Sequence, residues 1–327
     1  MKAVVIGATG HIGNAVVRAF LDRGIEVTAT SRQSAPGFNL AGLPVHFACG
    51  DSTVSGQFDA WISGQDIVVD AAAPYPLSAR RGILNPKSDP VSDAIERTRE
   101  LLDAVYKYNA RLVSIGSFAT SASQRRGFDA MQYEMMRAAH PYFAVKEAIE
   151  AETIDAARNG LKVVMLNPTM CIGPWDTRKR EFCIVPRLLA GEVPAMTNQI
   201  LNLIDVREVA DAVVSALMAE KFGEPIPLSG QNISVDMLFS WICEIGRVQP
   251  PRTRIPSSLA VAGSYAAELA LAMIGQDTPL PSLFLMLANA LDCPAPDRRQ
   301  VELGIAPRPL YESILDAIDW YRSIGYC

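Results

Sequence analysis

Short apolar runs alternate with amphipathic segments from the first residue to about Pro168. The runs fall at residues 3–6, 26–30, 45–48, 67–71, 112–115 and 162–166, and they predict strands. Helical periodicity between them predicts helices over 12–23, 91–108 and 143–159. In the first of these, Ile12, Val16, Val17, Phe20 and Leu21 share one face. Such alternation predicts an α/β fold, a doubly wound parallel sheet covered on both faces, because right-handed crossovers return the chain to the same sheet. Beyond Pro168 prolines recur and the rhythm breaks. One more β/α unit returns over 201–204, 206–219 and 226–228, and the last helix is expected over 310–324. The predicted organisation is a first domain over 1–167, with 201–228 packing back on it, and a smaller, mostly helical substrate domain over 168–327.

The chemistry begins at the first turn. The strand 3–6 runs into Gly7-Ala-Thr-Gly-His-Ile-Gly13 and straight on into a helix. Strand, tight glycine turn and helix form the context of a dinucleotide-binding, Rossmann-type fold. Gly7 permits the turn, Gly10 lets backbone N–H groups approach a pyrophosphate, and Gly13 lets the helix pack close to the sheet. Thr9, His11 and Ile12 lie in the same loop and complete it as a candidate cofactor site. Strand two ends on Ser31 and Arg32, where an NAD-preferring site carries an acidic residue for the ribose 2′-hydroxyl. An arginine there can meet a 2′-phosphate, so NADP(H) is the preferred cofactor, with NAD(H) as the alternative. Asp51 and Ser52, after the third strand, are placed to reach the adenine.

Tyr142-Phe-Ala-Val-Lys146 opens a predicted helix, and its i, i+4 spacing puts both side chains on one face. A lysine ammonium there can tune a tyrosine that passes a proton to or from a substrate oxygen. The fifth predicted strand ends on Gly116 and Ser117, whose hydroxyl can bond the same oxygen.

Composition narrows the field. A net charge of −5 leaves no electrostatic footprint for nucleic acid. Three histidines argue against a histidine-rich metal site and a Ser-His-Asp hydrolase, so no metal is expected. Cys49, Cys171, Cys183, Cys243, Cys293 and Cys327 form no C-x-x-C pair, which suits free thiols in the cytoplasm. No signal peptide is expected. The apolar stretch 259–275 is interrupted by Ser264, Tyr265 and Glu268, so a membrane span is not expected either.

With these motifs the chain resembles the extended short-chain dehydrogenase/reductase family, of the NAD-dependent epimerase/dehydratase type, over essentially its whole length. The arrangement is most similar to dihydroflavonol-reductase-like enzymes and hopanoid-associated sugar epimerases. Gly7–Gly13 is similar to the family's glycine motif, and Ile115-Gly-Ser117 to its catalytic serine segment. Asn167-Pro-Thr169-Met170 through Pro174 resembles its pocket-shaping turn, 203–210 its helix-opening segment, and 303–310 its C-terminal element. The resemblance implies a catalytic trio of Ser117, Tyr142 and Lys146. It also implies cofactor contacts from Ala72, Ala73, Lys146, Asn167 and Thr169, and substrate contacts from Tyr75, Phe118, Ala119, Met170 and Trp175.

The chain also departs from the family. Asp70 stands where many relatives have His, and Asp205 replaces another usual His. Phe118-Ala119 follow Ser117 where the family's sugar dehydratases carry an Asp-Glu pair, which argues against eliminating water. Met131, Met135 and Met196 are further candidates for an apolar cleft, and 124–128 for a substrate loop. The run Arg178-Lys-Arg180 reads as a solvated charge cluster or a diphosphate contact. The leading expectation is an oxidoreductase that reduces a ketone or aldehyde on a partly apolar small molecule, or oxidises the matching alcohol. The alternatives are a nucleotide-sugar 4-epimerase holding tightly bound NAD and a non-catalytic nucleotide sensor. A homodimer through helices flanking the tyrosine helix would suit such a fold.

Overall fold

The computed structural model describes residues 1–75, 89–120, 130–177, 183–274, 282–290 and 295–327. Seven strands make the main sheet: β1 (Lys2–Ile6), β2 (Glu26–Ser31), β3 (His46–Cys49), β4 (Ile67–Asp70), β5 (Arg111–Ile115), β6 (Val163–Pro168) and β10 (Ile226–Leu228). Their order is β10-β6-β5-β4-β1-β2-β3, and every pair is parallel. The central strands are buried on both faces, which is why β1, β4 and β6 read as apolar runs.

The longer helices are α1 (His11–Leu21), α2 (Pro90–Lys107), α3 (Ala130–Ala139), α4 (Pro141–Arg158), α5 (Val206–Met218), α6 (Val235–Gly246), α7 (Ser257–Met273), α8 (Ser282–Ala290) and α9 (Leu310–Ser323). On one sheet face α1 packs against α5, and on the other α2 packs against α4. The fold is therefore the expected Rossmann-type doubly wound sheet with a smaller, mostly helical C-terminal part. No helix among the described residues is long and apolar enough to cross a membrane.

The expected unit over 201–228 divides between layers. β10 extends the main sheet beside β6, and α5 joins the first core. The strand that leads into α5, β9 (Ile200–Asp205), instead pairs with β7 (Met170–Ile172) and β11 (Gln231–Ser234) in a separate three-stranded sheet. A second core forms there from Leu201, Leu203, Ile233, Phe239, Ile314 and Tyr321.

Asp205 sits at this junction. Its carboxylate caps α5 by accepting from the Arg207 N–H (2.7 Å), and it also accepts from the Arg207 guanidinium (2.9 Å at Nε). Arg207 in turn pairs with Asp316 on α9 (2.6 Å). Burial alone would raise the Asp205 carboxyl, but the hydrogen bonds from Arg207, helped by the nearby Ser313 hydroxyl, hold it below the ordinary value of 3.8. A depressed carboxylate contributes stability above the unfolded-state value and loses it as pH falls through the folded one. Asp205→Ala should cost about 1–2 kcal/mol in urea unfolding, as for a lost helix cap. Asp205→Asn should lose stability less steeply than the unaltered protein below about pH 4. Equal acid slopes would contradict this role.

Candidate active site

β1 lies between β2 and β4, and the chain leaves it toward β2 and β3 before crossing back to β4. Such a reversal opens a crevice at the carboxyl ends of the strands. Gly7 enters it with φ 81°, where a Cβ would lie 2.9 Å from that of Ala72. A Cβ on Gly13 would run into the Gly7 carbonyl oxygen. The Gly10 N–H closes the turn onto that same oxygen (2.9 Å). Helix α1 begins at His11 with no side-chain cap and no acidic residue in its first turn, an arrangement that favours an anion. Thr9 is held from both sides. Its carbonyl accepts from Asn39 Nδ2 (2.8 Å) and Thr177 Oγ1 (2.7 Å), and its Oγ1 lies 3.2 Å from Ser31 Oγ.

Ser31 is buried at the end of β2, while Arg32 is exposed and makes no ion pair among the described residues. Asp51 Oδ1 accepts from both the N–H and the Oγ1 of Thr53 (3.0 Å each). Those bonds, with a contribution from the Arg32 charge, hold its carboxyl below the ordinary value. Ser52 Oγ accepts from Arg97 Nε (3.1 Å). Arg97 also grips Asp70 with two bonds, of 2.8 and 2.9 Å, and both side chains are buried.

Helix α4 delivers the tyrosine and the lysine. His140 caps it through Nδ1, which accepts the Tyr142 N–H (3.2 Å), and Pro141 takes the first helical position. His140 is therefore a cap for the helix that carries Tyr142. Tyr142 and Lys146 both face inward, 3% and 5% exposed. The Tyr142 phenol is pushed well above its ordinary value, first by burial and then by neighbours such as Tyr75, with the nearby Ser117 hydroxyl opposing the shift. Burial pushes Lys146 down to about 8, opposed by Asp70 and reinforced by Arg97. The Tyr75 ring lies edge-on to Tyr142, centroids 5.0 Å apart, with Lys146 Nζ 5.9 Å from the same ring.

The other expected site residues fall in several places. Phe118 and Ala119 form a buried single turn, and Ala119 clusters with Tyr133, Tyr142, Phe143 and Leu283 of α8. Ala72 and Ala73 pack beside the end of β4, and the Ala72 N–H donates to Asp70 Oδ1 (3.1 Å). Asn167 is fully buried and donates to Glu150 Oε2 (2.9 Å). Asn167 Oδ1 and Thr169 Oγ1 are buried with no hydrogen-bond partner among the described residues. Met170 packs on the second core, which also takes Met196, while Met135 is exposed. Trp175 stands apart from the tyrosine cluster, against the first core with the Arg18 guanidinium 4.6 Å above its ring. The Met131 side chain, residues 124–128 and Arg178–Arg180 lie outside the described residues.

Asn39, Arg97, Glu150 and Leu283 belong to no motif in the sequence. Only Glu150, one helical turn past Lys146, carried a signal in its spacing.

A family model for the NAD-dependent epimerase/dehydratase family matches residues 3–227. A Synechocystis sp. protein named dihydroflavonol 4-reductase is 26% identical over 331 residues, 98% of this chain and 95% of its own. Sterol demethylase protein B of Methylococcus capsulatus is 25% identical over 334 residues, 99% of each chain. A nucleoside-diphosphate-sugar epimerase from Pseudomonas aeruginosa superposes with a TM-score of 0.74 at 24% identity, covering 100% of this chain and 99% of its own, a likeness of fold. Motifs, topology and these relatives agree: the chain belongs to the NAD-dependent epimerase/dehydratase family and is an enzyme of the extended short-chain dehydrogenase/reductase type.

Proposed function

We propose that the enzyme reduces a ketone or aldehyde on a partly apolar small molecule with NADP(H), or oxidises the matching secondary alcohol. The observation that carries this reading is the buried Tyr142 phenol, with Ser117 near enough to influence it and Lys146 one turn further along α4. A phenol held above its ordinary value keeps its proton at neutral pH, as a donor to a nascent alkoxide must. Ser117 orients the substrate oxygen beside it. Lys146 lowers the cost of the phenolate left behind, which solvent then reprotonates. The name of the Synechocystis relative supports the reductive direction. The turn after Ser117 holds Phe118 and Ala119, so it offers no carboxylate for a dehydratase. Tyr75 beside the Tyr142 ring, and Ala119 and Leu283 clustered with Tyr142, give the apolar surroundings, to which Phe118 and Met170 would add.

The residues present fit a dinucleotide. The glycine cradle has no room for a Cβ at Gly7 or Gly13, α1 offers an uncapped N-terminus, and Asn167 Oδ1 and Thr169 Oγ1 are buried without a partner among the described residues at the end of β6. Gly7, Thr9, Gly10, His11, Ile12 and Gly13 would hold the pyrophosphate, Asp51 and Ser52 the adenine side, and Ala72, Ala73, Lys146, Asn167 and Thr169 the nicotinamide side. When bound, the cofactor supplies or accepts the hydride at the carbonyl carbon. Arg32, exposed beyond Ser31 with no acidic residue at the strand end, supports the 2′-phosphate form.

Tyr142→Phe should lower turnover about 10²–10⁴-fold while NADPH still binds, as for loss of a positioned acid. Near-full turnover in that variant would overturn the assignment. NADPH should bind about ten- to a hundredfold tighter than NADH, the worth of a charge-assisted bond, and Arg32→Ala should remove most of that difference. Equal affinities in the unaltered protein would refute the cofactor choice. The direct assay offers ketones and aldehydes with NADPH, beside nucleotide sugars without added cofactor. NADPH consumption with a carbonyl compound is expected. Sugar epimerisation by protein carrying its own NAD would replace this reading with an epimerase.

A further inference from the structure

Asp70 and Arg97 form an ion pair inside the first domain. Asp70 ends β4 and is 1% exposed, while Arg97, in the body of α2, is 5% exposed. Two bonds join them, at 2.8 and 2.9 Å. Arg97 spends its Nε on Ser52 and lays its guanidinium 5.3 Å from the Phe58 ring centre. Asp70 also accepts the Ala72 N–H, which fixes the start of the loop that leads to Tyr75. Stability alone does not account for such a pair, since an apolar replacement of similar volume is often as stable or more so.

Its location supplies another reason. Lys146 is buried, and its Nζ lies 5.9 Å from the ring of Tyr75, on the segment whose start Asp70 holds through the Ala72 N–H; it feels the charges of both Asp70 and Arg97, yet makes no ion pair of its own among the described residues. We propose that Asp70 and Arg97 are positioning residues for Lys146: Asp70 supplies the counter-charge that keeps the ammonium in a buried pocket, and Arg97 occupies both Asp70 oxygens so that the lysine is not captured by them. The lysine is thereby left to reach a ribose and the phenol. Through Ser52, Arg97 also ties the adenine-side turn to the same balance. This inference rests on the reading of Lys146 as the catalytic lysine.

The other groups facing Lys146 do not supply this balance. Tyr75, from the loop after β4, presents a ring face. On α4 itself, Tyr142 is a phenol held above its ordinary value, and Glu150 accepts from Asn167 and Thr120. Asp70 is held below the usual carboxylate range although burial opposes it, because Arg97, the Ala72 N–H and Lys146 outweigh that penalty. It is therefore an anion at neutral pH. Removing it leaves Arg97 as an unbalanced cation, which disfavours the ammonium. Removing Arg97 leaves an unbalanced anion, which favours it. The two single substitutions must act in opposite directions, as no loss of packing would.

The test titrates Lys146 by NMR in protein labelled with ¹³Cε-lysine, without cofactor, the resonance being assigned by its loss in Lys146→Arg. The unaltered midpoint is expected at about 8. Asp70→Asn should lower it by about 1 pH unit, Arg97→Gln should raise it, and the double variant should fall between the singles. The alkaline limb of kcat/KM should move in the same order. Should Asp70→Asn fail to fold, Arg97→Gln against the double variant reads the same sign, because the double variant removes both charges. Midpoints that stay put, or that move together, would overturn the role of the pair. Failure of the underlying reading looks different: Lys146→Ala would then keep full turnover and NADPH binding, whatever the midpoints do.

Discussion

The close approach of α1 to the Gly7 carbonyl is the contact on which the rest of the carboxyl edge depends. It exists because Gly13 has no Cβ, and it fixes where the helix N-terminus points. Thr9 is then brought to Ser31, and Asn39 and Thr177 lock the loop from opposite sides. The parallel ladder extends this order sideways. Val4 pairs with Thr28 on one side and Val68 on the other, so the ends of β1, β2 and β4 arrive in step. A slip of one residue in β4 would turn Asp70 to the opposite face and away from Arg97.

Burial sets the chemistry at the other end of the crevice. A phenol, an ammonium, a carboxylate and a guanidinium share one water-poor region. Desolvation penalises every charged form there, and partners decide which charges survive. Asp70 and Arg97 keep theirs by mutual contact. Tyr142 keeps its proton, with Ser117 as its neighbour. Lys146 is poised between states, since burial and Arg97 oppose its charge and Asp70 supports it.

Much of this was legible in the sequence where local rules decide the outcome. Parallel strands buried on both faces must be apolar, so β1, β4, β5 and β6 stood out, whereas the edge strand β3 is partly exposed and showed only as a short apolar run. The glycine loop and the Tyr142–Lys146 spacing are local too. The second region gave little, because β7, β8 (Ala195–Thr197) and β12 (Thr253–Ile255) are three residues long and their pairing is set by distant neighbours. No local rule in the sequence foretells that Trp175, at positive φ, meets the Arg18 guanidinium of α1. Asp70 could be seen as a departure from the family pattern. Its partner could not, because no spacing rule links positions 27 apart on different elements.

The most direct measurement of the central claim follows the hydride. NADPH deuterated at either C4 position would be supplied with a carbonyl substrate, and the alcohol product examined for label. This account predicts deuterium on the carbinol carbon from one of the two labelled forms, in proportion to NADPH consumed. Epimerised nucleotide sugar, with no label passing from added NADPH to any carbonyl compound, would contradict it.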